Sequence, residues 1–182
     1  MNPESKAEHD LLRLVAKGDR PAFGTLFDRH AAAAARYAMR LVRDRAASED
    51  AVHGAFVRLF EAARSHEIDP ERGSLRGLLF RTVRNLCIDW LRSRYRDLPL
   101  GDLDIGGPPA VGDIRLELDE ALALLPEKYR SALLLRVDAG LSYAEIGAAL
   151  GATLAQVKMW IFRARRALAE RMLPAEEANR VV

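Results

Sequence analysis

The stretch from Leu141 to Leu168, LSYAEIGAALGATLAQVKMWIFRARRAL, constrains this chain more than any other, because both of its helix starts are written in side chains. Ser142 with Glu145 three residues on, and Thr153 with Gln156 three residues on, are two capping boxes in close succession. Gly151 lies between them, where a tight turn can need a positive φ. Along the second helix Val157, Trp160, Ile161, Ala164 and Leu168 recur at three and four and define a buried stripe. That leaves Gln156, Lys158, Met159, Phe162, Arg163 and Arg166 on the outer, basic face. Two helices locked in register by a tight turn form a helix-turn-helix. Its second helix can enter a major groove with its first turns on base edges and its later arginines on phosphates.

Charge supports a nucleic-acid partner through its distribution rather than its total. The formal net charge is only +2. Arg76, Arg81, Arg84, Arg92, Arg94 and Arg96 form one basic block opposed only by Asp89, and Lys158, Arg163, Arg165, Arg166 and Arg171 form another opposed only by Glu170. Between them, Asp97 to Asp113 carries four aspartates and no basic residue.

Other classes are disfavoured. Cys87 is the only cysteine, so an internal disulfide is excluded and a buried structural thiol is expected. His9, His30, His53 and His66 are scattered outside any metal-ligand spacing, and His30 falls on an apolar stripe as a core histidine. No metal and no cofactor is expected. No nucleophile, base and orienting group can be assembled, so the chain is not read as an enzyme. No apolar run approaches the roughly 20 residues needed to span a bilayer, and MNPESKAEHD is no signal peptide, so a cytoplasmic location without membrane insertion is expected.

Helical periodicity is nearly continuous and no stretch alternates with period two, which makes the fold class all-α. A short first helix covers about 6–17 and stops at Gly18. Pro21 opens a second, running to about Val42, with Phe23, Leu26, Phe27, His30, Ala34, Tyr37, Ala38 and Leu41 on one face. After a break at 43–47, a third helix from about Ser48 to Arg64 buries Val52, Ala55, Phe56, Leu59, Phe60 and Ala63. Ser74 caps a fourth from Leu75 to about Arg94, with Leu75, Leu79, Thr82, Val83, Leu86 and Trp90 inward. Residues 1–96 thus read as one helical bundle. The segment 97–112, DLPLGDLDIGGPPAVG, has four glycines and three prolines and reads as a flexible linker. Residues 113–173 read as a second small helical domain that ends in the helix-turn-helix, and 174–182 as a tail.

Over about residues 8 to 172 the chain resembles a bacterial RNA polymerase sigma factor of the two-domain, extracytoplasmic-function group. LPEKYRSALLLRVDAGLSYAEIGAALGATLAQVKMWIFRARRAL resembles the domain that reads the promoter −35 element, and GSLRGLLFRTVRNLCIDWLRSR the segment that melts and reads the −10 element. The sharpest match is the RNLxIDxLR core: Arg84, Asn85, Leu86, Ile88, Asp89, Leu91 and Arg92. The resemblance implies three binding surfaces and an anti-sigma protein as a further partner. Core RNA polymerase would meet the third helix at Asp50, His53, Val57 and Glu61. Melted −10 DNA would meet Arg76, Arg81, Arg84 and Asn85. Duplex −35 promoter DNA would meet Gln156, Lys158, Met159, Phe162, Arg163 and Arg166. His53 and Gly54 stand where the family commonly has glutamine and glutamate, and Gln156 offers an amide able to bond adenine bidentately.

Two other readings compete. A stand-alone helix-turn-helix regulator accounts for the last third only and leaves the arginine-rich fourth helix without a task. A sigma-like decoy that binds an anti-sigma protein, and neither polymerase nor DNA, is favoured by His53 and Gly54 but opposed by the retained Lys158 and Arg163.

Overall fold

The computed structural model describes residues 3–65, 68, 74–94 and 114–173. These residues form eight helices and no strand: α1 (Pro3–Ala16), α2 (Arg20–Val42), α3 (Arg45–Arg64), α4 (Leu75–Arg94), α5 (Ile114–Ala123), α6 (Glu127–Val137), α7 (Tyr143–Leu150) and α8 (Leu154–Met172). The all-α expectation holds. The linker and the tail assigned to 97–112 and 174–182 lie outside the described residues.

Local chemistry sets the helix boundaries. α1 ends at Ala16, and the turn after it passes through Gly18, whose φ of 86° suits a residue without Cβ. Asp19 then caps α2 by accepting the Ala22 N–H at 2.9 Å, with proline in the first turn. Arg43, at φ 54° the one non-glycine residue with positive φ among those described, closes α2 by donating its N–H to Met39 O. Asp44 follows as the cap of α3, accepting the Ala47 N–H at 2.9 Å. The third helix therefore starts at Arg45, three residues before the expected Ser48, because one left-handed residue completes the reversal and the next already caps.

α1 to α4 enclose a core in which Tyr37, Phe56, Phe80, Leu12, Leu26, Leu41 and Leu79 are fully buried. Each such side chain contributes about 1.5–3 kcal/mol of burial free energy. Phe23 packs against Phe56 and Phe60 with ring centroids 6.2 and 5.0 Å apart. The core histidine is where it was expected: His30 is buried with its Nε2 3.1 Å from Glu8 Oε1. Phe27, expected on the inner face, is 39% exposed and only leans on Phe56. On α4 the expected inward residues Thr82, Leu86 and Trp90 are half-buried, whereas Phe80 and Cys87 are fully buried. The reason is that α4 is covered on two sides, by α2 and α3 and by α7.

In the second unit α6 packs on α7 and α8, and α5 on α8. Both expected capping boxes are formed. Ser142 accepts the Glu145 N–H at 3.3 Å and Glu145 the Ser142 N–H at 2.7 Å, while Thr153 accepts the Gln156 N–H at 3.2 Å and Gln156 the Thr153 N–H at 2.9 Å. Gly151 closes α7 with φ 64°, and Gly140 precedes it with the same value. The two units are in contact along a seam where α2 meets α5 and α6, and α4 meets α7.

Candidate functional site

The outer face of α8 is built by the inner one. Val157, Ile161 and Ala164 are buried to 2% exposure or less, which fixes the rotation of the helix about its axis. Lys158, Met159, Phe162, Arg163 and Arg166 consequently face solvent together, with Phe162 half exposed. Two apolar side chains kept in water between three cations suit base edges and thymine methyl groups flanked by phosphates. Arg163 Nη1 donates to the Tyr129 hydroxyl at 3.0 Å, so α6 helps to orient it, and Arg166 is held by Glu170 at 2.7 Å. Gln156 is exposed, but its Oε1 also accepts from the Thr153 hydroxyl at 3.1 Å. With both acceptor positions engaged by the cap, only its N–H groups are available; a bidentate bond to adenine requires the cap to release the oxygen.

On α3, Asp50, His53, Val57 and Glu61 are all exposed and recur at three and four, so the structure brings this set onto one face. Beside it lies a groove of about 760 Å³ lined by Val57 and Glu61 with Phe23, Phe60, Arg20 and Arg64. Apolar floor and charged rim together resemble the surface a partner helix covers.

The four candidates on α4 are divided. Arg81 and Asn85 are exposed. Arg76 and Arg84 are half-buried in the seam, where Arg76 donates to the Ala139 carbonyl and Arg84 to Glu127 Oε1 at 3.0 and 2.8 Å. Glu127 also accepts from Ser131 at 2.7 Å. Sequence reasoning did not find Glu127, Glu145 or Tyr129 as neighbours of the candidate set, because pairs such as 84 with 127 leave no local periodic signal. Trp90 is half-buried, with the Arg94 guanidinium 5.0 Å above its ring. Burial pushes the Cys87 thiol up to about 12, which makes it an inert structural thiol.

Glu145 shows how the seam and the helix-turn-helix are linked. Burial alone would raise its pKa, but the hydrogen bonds from Ser74 and Ser142 outweigh that and hold its carboxyl below the usual range. Asp138 behaves in the opposite way: its burial raises the pKa, and nearby Arg40 does not offset it.

No group of three or more His, Cys, Asp or Glu side chains among the described residues could hold a metal ion, and none of the described helices is long and apolar enough to cross a membrane.

Comparison with known proteins matches residues 26–97 to the family described as Sigma-70 region 2 and residues 115–168 to Sigma-70, region 4. The first segment contains α4 and the second contains α8 as far as Leu168. The chain is 33% identical over 167 residues to the ECF RNA polymerase sigma factor SigE of Mycolicibacterium smegmatis, a match covering 84% of this chain and 63% of that protein. It is 34% identical over 152 residues to SigL of Mycobacterium tuberculosis, covering 79% of this chain and 84% of SigL. Among solved structures, CnrH in complex with the cytosolic domain of CnrY aligns with a TM-score of 0.71 at 29% identity, over 90% of this chain and 96% of that one. From its two matched regions, its relatives and its fold, the chain belongs to the extracytoplasmic-function group of RNA polymerase sigma factors.

Proposed function

We propose that the chain acts in the cytoplasm by binding core RNA polymerase and directing it to promoters, with no catalytic activity of its own. α3 offers Asp50, His53, Val57 and Glu61, with the adjoining apolar groove, to the polymerase. α4 holds the melted −10 strand through Arg76, Arg81, Arg84 and Asn85. α8 reads the duplex −35 element through Lys158, Met159, Phe162 and Arg163, with Gln156 and Arg166 at the margins. On this reading residues 1–96 and 113–173 are the two functional units and 97–112 tethers them.

The observation that carries this reading is the presence in one chain of two unlike basic surfaces: an exposed groove-sized face on α8, and an arginine set on α4. Duplex readout needs the first, since base edges are reached by a protruding helix. An unpaired strand needs the second, since cations must follow phosphates beside unstacked bases. A dedicated anti-sigma protein is a further expected partner, supported by the likeness to CnrH, which was solved with the cytosolic domain of CnrY.

Copurification with core polymerase tests the α3 assignment. The parent chain should be retained by immobilised core enzyme, and Asp50→Lys, which reverses an exposed carboxylate on the proposed face, should be retained at least several-fold less. Equal retention of the two would place the polymerase contact elsewhere.

A further inference from the structure

Of the arginines on the outer face of α8, Arg163 and Arg166 are held in different ways. Arg166 is paired with a carboxylate of its own helix, Glu170 at 2.7 Å, which offsets its charge. Arg163 instead donates from Nη1 to a neutral acceptor on another helix, the Tyr129 hydroxyl at 3.0 Å. A neutral acceptor orients a guanidinium without offsetting its charge, and it leaves the remaining N–H groups for a ligand. The hydroxyl is itself fixed by α6. The Tyr129 ring is half-buried against the core, and its backbone N–H donates to the Pro126 carbonyl at 2.9 Å in the first turn. Having accepted from Arg163, the hydroxyl oxygen still carries its own hydrogen to donate. The Lys128 ammonium lies 5.6 Å from the centroid of the same ring, while the carboxylate two residues before Tyr129, that of Glu127, is taken up by Arg84 and Ser131.

We propose that Tyr129 and Arg163 form one seat for a single backbone phosphate of duplex DNA, which makes Tyr129 a recognition residue outside the helix-turn-helix. The inference deepens the reading that α8 meets the −35 duplex and rests on it. Donor atoms 3.0 Å apart suit two oxygens of one phosphate, or one oxygen that accepts from both. The Lys128 ammonium adds positive potential beside the seat. An arginine on an exposed helix face must ordinarily be immobilised as DNA arrives. Here α6 has oriented it beforehand, so less conformational freedom is lost on binding. The guanidinium supplies the charge and the hydroxyl supplies its placement. Removing the guanidinium therefore leaves the hydroxyl little to contribute.

The probe is a fluorescein-labelled duplex enriched by the full parent chain from a random-sequence pool and titrated with each variant across a salt series. Tyr129→Phe keeps the ring and its packing and removes the hydroxyl alone. It should bind about fivefold more weakly than the parent, with an unchanged salt slope because no charge is lost. Arg163→Ala should bind about tenfold more weakly and lower the slope by roughly one. The double variant should bind within about twofold of Arg163→Ala, as expected of two groups that serve one phosphate. A loss caused by a disturbed α6 would persist on the Arg163→Ala background, so this comparison separates recognition from stability even where a variant folds less well. Tyr129→Phe binding like the parent, or a loss that simply adds to that of Arg163→Ala, would overturn the seat and leave α8 as the reading helix. If the parent enriches no common sequence, the assignment of α8 to duplex DNA fails and the seat falls with it.

Discussion

Replacing Gly147 with alanine probes the geometry on which the recognition helix depends. A Cβ built at Gly147 would lie 2.7 Å from the Ala152 carbonyl oxygen, whereas ordinary contact begins near 3.4 Å. The obstacle is backbone, so no side chain can swing away. It also belongs to the turn itself: the Ala152 N–H donates to the Gly147 carbonyl at 2.9 Å, and Thr153, the next residue, caps α8. Relief therefore means moving the α7–α8 turn. Overpacking of this kind costs about 1–3 kcal/mol, against a gain of about 1 kcal/mol from the better helix propensity of alanine. Gly147→Ala should thus lower stability, by up to about 2 kcal/mol, and weaken duplex DNA binding as α8 shifts. Gly24→Ala provides the contrast, because nothing lies within 4 Å of its Cβ and only the propensity term, up to about 1 kcal/mol, remains. Urea titration of the parent and both variants decides the matter. Opposite signs support the reasoning; a Gly147→Ala variant as stable as the parent or more so would refute the close approach.

Arg163→Ala should weaken closed-complex formation and reduce the salt dependence of duplex binding by roughly one unit of slope, as expected for the loss of one phosphate contact; binding isotherms across a salt series measure this. Arg81→Ala should impair transcription from duplex promoters and be largely rescued on a pre-melted bubble template, which removes unpairing costs of a few kcal/mol per base; equal defects on both templates would mean that α4 does not assist melting. Glu145→Gln retains a side chain able to complete the capping box but loses the charge. Since the folded pKa of Glu145 lies below its ordinary 4.5, its contribution is present above that pH and is lost as pH falls through the folded value. The stability gap between parent and Glu145→Gln should therefore be open at neutral pH and narrow below about 4.5, as followed by denaturation at several pH values.

What the sequence disclosed was what is local. Both capping boxes, the positive φ at Gly151 and the burial of Val157, Ile161 and Ala164 on α8 depend on residues a few positions apart and could be read directly, whereas Trp160 and Leu168, expected on the same buried stripe, are only half-buried. The caps at Asp19 and Asp44 were equally local but were masked by Pro21 and Ser48, each of which offers a plausible start of its own. Phe27 was misplaced because periodicity identifies an apolar stripe without saying how much of it a neighbour covers. Phe80 was missed for the converse reason, since α4 is buried from two directions and its second partner comes from the other unit. The engagement of Arg76 and Arg84 was not legible at all: a guanidinium forty-three positions from its carboxylate leaves no periodic trace, and an arginine-rich helix reads as free until its acceptors are seen.

If one chain supplies sequence choice to a polymerase through two separate DNA surfaces, in-vitro transcription of a random promoter library by purified core enzyme should depend on it. Transcripts should appear only with the protein and arise from templates sharing two short sequence blocks at one fixed spacing, with permanganate-reactive thymines confined to the downstream block. Transcripts that show no shared blocks, or none above core enzyme alone, would contradict it.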